Sequence, residues 1–299
     1  MIPLVVSVDV EPDGLFIDPH DPRPWLGFEA ALDRTEGFRE AAAAAGGRPA
    51  HFSWKLRMDH QVEKTYGTAL WAAERYRAAF DRLLRSGDDV GIHVHPFRLI
   101  PGTDEWEADF SDPDWVAECI ESAVAAFRSA FGTGPLTASM GHNWHSRDAL
   151  DLFFRLGIRF DLSLEHGTTK APFYDGIGAF AGDRPSFEGV PDHPYHPADD
   201  DFCTADPSRD RSVWVVPLST VPEPGAGRRV KVALREGPGP IRRLLGTTPI
   251  PPCPLVAVRS SDFLDAADRV VAALESVLDT AVFATPAESL AAAGFTSAG

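Results

Sequence analysis

Residues 3–10, PLVVSVDV, decide the fold class. The run is short, β-branched and almost continuously apolar, the pattern of a strand in a parallel sheet that is covered on both faces. Outward from it the chain alternates. Residues 28–47, FEAALDRTEGFREAAAAAGG, predict a helix that stops at Gly46 and Gly47. PAHFSWKL (49–56) predicts a strand, about Ala69–Arg85 a helix, and DDVGIHVH (88–95) a strand. DPDWVAECIESAVAAFRSAFG (112–132) opens with the cap signature Asp112, Pro113, Asp114 and closes on Gly132. PLTASM, the helix SRDALDLFFRLG and the strand IRFDLSL follow at similar spacing.

Such alternation implies βαβ units and an α/β fold with a parallel sheet, closed as a barrel or doubly wound. The pattern breaks over about 167–212, rich in Pro, Asp and Gly, which predicts a long irregular loop insertion. It resumes with SVWVVPLST (212–220) and ends with the strand PLVAVRS, the helix DFLDAADRVVAALESVL, the strand TAVFAT and a short helix. No repeat interrupts this order, so residues 1–299 are expected to form a single domain.

Bulk properties exclude several classes. With 44% hydrophobic and 24% charged residues, the chain has enough apolar material for a large core. A formal net charge of −16 repels phosphates, so neither nucleic acid nor an anionic membrane surface is an expected partner. Cys119, Cys203 and Cys253 are far apart and odd in number, which indicates neither a zinc knuckle nor a disulfide framework. No stretch approaches the roughly 18 apolar residues that a membrane span needs. The opening residues read as a strand and not as a signal peptide, so a cytoplasmic protein is expected.

The chemistry lies at two strand ends. Residues two apart on a strand share a face, so Asp9 and Glu11 in SVDVEPDG project together. Adjacent carboxylates repel unless a cation or a proton settles them. His93 and His95 in GDDVGIHVHP also share a face. If both strands belong to one barrel, their C-terminal ends open on the same rim. One or two carboxylates and two imidazoles then suit a divalent metal such as zinc, with positions left for water. Arg57 and Asp59 in KLRMD are placed on the same rim, and Trp54 and Trp144 lie near predicted strand ends or loops, so all four are candidate substrate contacts. No GxSxG, P-loop or GxGxxG is present, so a serine nucleophile, phosphate cradle or nicotinamide cofactor has no support.

These motifs resemble the polysaccharide deacetylase (NodB-homology) family. SVDVE and GDDVGIHVHP carry the resemblance most strongly. HFSWKLRMD, LGIRFDLSL, VWVVPLS and PLVAVRSSDFLDAADRV agree with it in order, so that it spans most of the chain. The resemblance implies a distorted (β/α)7-8 TIM-like barrel of the glycoside hydrolase/deacetylase type. It also implies metal-dependent hydrolysis of acyl groups, chiefly on amino sugars. It gives Asp9 the role of general base and makes Glu11, His93 and His95 the metal ligands, although the common histidine spacing in the family is His-x-x-x-His. Zinc is the first expectation for the ion, with cobalt, nickel and manganese as alternatives.

Two family positions differ. Val258 and Arg259 stand where a Leu-His pair supplies the leaving-group acid, and Ser139 stands near the place of an arginine that orients the base. Arginine stays protonated near neutrality and cannot be that acid. One reading makes His142 or His145 the acid and Arg259 the orienting cation. The alternatives are a catalytically altered protein that performs another metal-assisted step in natural-product or glycan biosynthesis, and an inactive one that binds carbohydrate. The expected partner is a sugar or related small metabolite; a homo-oligomer is compatible with the sequence.

Overall fold

In the computed structural model, residues 1–168, 179–183, 185–206, 208 and 213–295 are described. Of the expected irregular loop, residues 169–178, 184, 207 and 209–212 lie outside the described residues.

Thirteen strands run through the described chain: β1 (Ile2–Val10), β2 (Ser53–Arg57), β3 (Asp89–Val94), β4 (Phe97–Leu99), β5 (Trp106–Asp109), β6 (Thr137–Met140), β7 (Phe160–Asp161), β8 (Ala179–Ala181), β9 (Trp214–Val215), β10 (Thr220–Pro222), β11 (Arg229–Lys231), β12 (Leu255–Arg259) and β13 (Ala281–Phe283). Seven of them form one parallel sheet in the order β12-β1-β2-β3-β6-β7-β9, and β13 joins it by pairing with the start of β1. The sheet curls into a distorted (β/α) barrel. Its open seam between β9 and β12 is bridged by Ser219 N donating to Leu255 O at 2.8 Å and Leu255 N donating to Ser219 Oγ at 3.1 Å.

Helices line the outside where the sequence signals them. The helix Pro113–Phe131 starts at Asp112, whose side chain accepts from Asp114 N and Trp115 N, and ends at Gly132 with φ 75°. Leu26–Gly46 has no side-chain cap of its own at the N-terminus. Asp13, from the loop after β1, instead accepts from Leu26 N at 2.9 Å and Gly27 N at 2.8 Å. The helix expected over 69–85 is broken at Tyr76 into Trp71–Arg75 and Arg77–Arg85. A hairpin of β4 and β5, extended by β8 into a small side sheet, follows β3; no periodicity announced it.

Strand register sorts the side chains. Val8, Trp54 and Val90 align on the outer face, where they join the main core under the helices. Val5, Phe160, Leu162, Val216, Leu218 and Leu255 form a second, smaller apolar cluster. The inward face of β1, β2, β3 and β6 is polar instead. Ser7, Ser53, Lys55, Arg57, Thr137 and Ser139 are all buried there. Lys55 is neutralised in place: it donates to Ser53 Oγ and to Asp89 Oδ2 at 2.8 Å, while Thr137 Oγ1 meets the same oxygen at 2.6 Å. Gly91 makes room for this layer, since a Cβ there would lie 2.2 Å from Thr137 O.

Candidate metal centre

Asp9 and Glu11 stand at and just past the end of β1, and His93 and His95 at and just past the end of β3. Both strand ends open on the C-terminal rim, as their register requires. Ligand atoms of Glu11, His93 and His95 lie within 4.8 Å of one another, and all three residues are buried. The two Nε2 atoms converge to 2.9 Å, and His95 Nε2 is 3.6 Å from Glu11 Oε2. Asp9 sits beside them, its Oδ1 3.8 Å from His93 Nδ1.

Each imidazole is oriented by a neighbour. His93 Nδ1 is 2.7 Å from Ser139 Oγ, a contact that fixes the ring and leaves Nε2 to the centre. His95 stacks on Phe97, with ring centroids 5.0 Å apart and planes at 3°. Its other side is closed by Gly141, where a Cβ would come within 2.3 Å of the ring. Burial governs the charges. It pushes Asp9 up to about 6, raises Glu11, lowers His93 to about 4 and lowers His95 well below its usual value. Two neutral imidazoles beside two acids form a buried group that could hold a divalent metal.

The residues fit an ion on a further observation. Glu11 Oε2, Arg57 Nη1 and His95 Nδ1 are buried around this point without a hydrogen-bond partner. Unmade bonds of that kind are costly in a closed interior, and a metal would satisfy the carboxylate oxygen. Arg57 Nη1 points at Glu11 Oε2 from 3.8 Å.

The other expected residues are spread more widely. Arg57 is fully buried. It donates through Nε to Asp59 Oδ2 at 2.8 Å and through Nη2 to Gln61 Oε1 at 2.6 Å. Asp59 in turn caps the helix His60–Tyr66. Both therefore support Glu11 from beneath and reach no open surface. Trp54 is likewise fully buried, on the outer face, with Nε1 donating to Asp88 Oδ2 at 2.7 Å; it packs between Phe28 and Phe52 and offers no face to a sugar. Trp144 is 7% exposed and lies against Phe110. Arg259 is the register partner of Asp9, half exposed, with Nη2 3.5 Å from Asp262 Oδ1; its charge favours the ionised form of Asp9.

Of the two candidate acids, the structure brings only His142 to the centre, its ring 4.8 Å from that of His95. His145 faces away. Register pairs Ala138 with Asp161, so Asp161 points to the side opposite Ser139, and His145 Nε2 lies 3.2 Å from it under the helix Arg147–Arg155. Sequence reasoning did not find Gly141, Lys55 or Lys231, the last being the cation that acts most strongly on Asp9. The alternation S-x-K-x-R in β2 carried the signal for Lys55.

No family model matches the chain, and no curated protein matches it. Among solved structures, a protein described as "probable Polysaccharide deacetylase" from Pseudomonas aeruginosa PAO1 superposes with a TM-score of 0.53 at 12% identity, over 97% of this chain and 90% of that one. A 4-alpha-glucanotransferase from Thermococcus litoralis gives 0.49 at 9% identity, over 97% of this chain and 38% of that one. A peptidoglycan deacetylase from Bacillus subtilis gives 0.44 at 10%, over 97% and 91%. At such identities the likeness concerns architecture: the chain is a divergent representative of the polysaccharide-deacetylase barrel fold.

Proposed function

We propose that this chain is a metal-dependent hydrolase that removes an acyl group from the nitrogen of an acylated amino sugar or a related small metabolite. The observation that carries the reading is the buried Glu11, His93 and His95 cluster with Asp9 at its side, on the barrel rim where such folds place their chemistry. Glu11, His93 through Nε2 and His95 through Nε2 would hold the ion. Zinc is preferred over cobalt, nickel or manganese because two of the three donors are imidazoles. When bound, the ion supplies Lewis acidity toward an amide oxygen and makes a coordinated water acidic near neutrality.

The chain's own residues do the rest. Asp9 takes the proton of the attacking water, a role for which it must be ionised; burial raises its carboxyl to about 6, and Lys231, Lys55 and Arg259 work against that rise. Ser139 keeps His93 in the orientation that presents Nε2. His142 protonates the departing amine nitrogen, replacing the acid that Arg259 cannot be. Glu11 is held in register by Ser260, which accepts from Glu11 N at 3.3 Å and donates to Glu11 O at 3.2 Å. We place the protein in the cytoplasm, where reducing conditions suit its three unpaired cysteines.

The experiment is acetate release from a panel of N-acetylated amino sugars by zinc-reconstituted protein, beside its Asp9→Asn variant. Release by the wild type and its loss in a variant that keeps its metal support the reading. A protein that holds no metal after reconstitution, or a variant as active as the wild type, overturns it.

A further inference from the structure

The segment 141–143 has a backbone that its side chains alone do not favour. His142 lies at φ 58°, ψ 17°, and Asn143 at φ 50°: two consecutive non-glycine residues in the left-handed region. Asn and His tolerate that region better than most residues, but a pair of them is rare, and such strain persists only where surrounding contacts impose it. Here one such contact is a side-chain bond made by Asn143. Asn143 Nδ2 donates to Glu165 Oε1. Glu165 is fixed in turn: it is 8% exposed, its backbone bridges to Leu218 in parallel, and Leu218 N donates to Leu164 O at 2.7 Å. The turn is therefore pinned to the barrel wall across 22 residues of sequence.

The pinning has a geometric result. It turns the His142 ring inward, edge-on among His95 at 4.8 Å, Phe180 at 4.9 Å, Phe110 at 5.6 Å and Phe97 at 6.0 Å, all at 82–85°. Three residues further on, His145 is left on the opposite side of the sheet. The left-handed step is what separates the two histidines.

We infer that Asn143 and Glu165 are positioning residues, a clamp that holds His142 in a left-handed turn against the metal-ligating His95. Its catalytic consequence rests on the acid role of His142 proposed above, but the clamp itself is a statement about geometry. The test uses zinc-loaded, ¹⁵N-histidine-labelled full-length protein, with the His142 ring resonances assigned through His142→Gln. Glu165→Ala removes the acceptor. Asn143→Gly removes the donor while relieving the backbone, so it preserves folding if the first variant does not. Glu165→Gln keeps an acceptor oxygen and serves as the rescue.

Glu165→Ala and Asn143→Gly should displace the His142 resonances, and Glu165→Gln should leave them in place. On any substrate that the panel returns, the first two should lower kcat by about 100-fold, the cost of misplacing a reacting group by about 1 Å, with KM little changed. Unmoved His142 resonances in both clamp variants overturn the inference. Displaced resonances with no hydrolysis by the wild type leave the clamp standing and bring down the hydrolase reading instead.

Discussion

Gly141→Ala should abolish tight metal binding without touching a ligand. An added Cβ would stand 2.3 Å from Cε1 and Nδ1 of His95 and 2.6 Å from its Cγ, where an ordinary contact begins at 3.4 Å. The ring must therefore retreat by about 1 Å, and it has nowhere to go. Its far face lies parallel to Phe97 with centroids 5.0 Å apart, and Phe97 is fully buried with the Arg57 guanidinium 5.2 Å from its centroid. Overpacking of this kind costs about 1–3 kcal/mol, which a domain of this size survives. A metal site is far less tolerant, because ligand distances hold to within about 0.2 Å. Disturbing even the residues that orient ligands costs about 10–100-fold in affinity; displacing a ligand should cost at least about 100-fold, or roughly 2.7 kcal/mol. The assay is zinc competition against a chelating dye, with thermal unfolding of the metal-free protein as the folding control. A folded variant with affinity within about threefold of wild type would refute the packing argument around His95.

Other expectations address the same site and its frame. Ser139→Ala removes the hydroxyl 2.7 Å from His93 Nδ1 and should weaken zinc binding by about 10–100-fold in the same titration; unchanged affinity would show that the hydroxyl orients nothing. In metal-free protein, the carboxyl of Asp9, raised by burial from 3.8 to about 6, contributes stability that is complete below pH 3.8 and lost as pH rises through 6. His93, lowered by burial from 6.5 to about 4, does the reverse: its contribution is complete above pH 6.5 and lost as pH falls through 4. Each is worth about 3 kcal/mol and they oppose one another, so Asp9→Asn should make stability climb more steeply between pH 4 and 6.5, by about 3 kcal/mol, in urea titrations of the metal-free protein. Parallel slopes for variant and wild type would contradict the desolvation of Asp9. At the opposite end of the barrel, the Asp88 carboxylate accepts from Phe52 N at 3.0 Å, Trp54 Nε1 at 2.7 Å and the Arg39 guanidinium. Asp88→Ala strands a buried guanidinium and should cost about 3–5 kcal/mol in chemical unfolding while zinc affinity stays the same.

What could be read in the sequence follows from periodicity. A period of two along β1 and β3 put Asp9 with Glu11 and His93 with His95, and the structure brings these two pairs to one rim. The same period applied to SWKLR would have sent Trp54 outward and Lys55 inward, a signal present and unused. Other features have no local signature. The shortening of the strands read in IRFDLSL and SVWVVPLST to the two-residue β7 and β9 is set by pairing, β7 with β6 and β9 with β7. The β4–β5 hairpin and the helix His60–Tyr66 are too short to declare a period. His142 and His145 could not be told apart in TASMGHNWHS, because the choice is made by a left-handed turn tied to a glutamate 22 residues away. Gly141 reads as an ordinary turn glycine until the His95 ring is seen against it.

The central claim is that Glu11, His93 and His95 converge on one ion with Asp9 beside it. Diffraction from zinc-soaked crystals, collected on both sides of the zinc absorption edge, tests this most directly. One buried anomalous peak is expected about 2.0–2.2 Å from a Glu11 carboxylate oxygen and from Nε2 of both histidines, with Asp9 close by but not required as a ligand. A peak elsewhere, or none at this cluster in protein that remains folded, would contradict it.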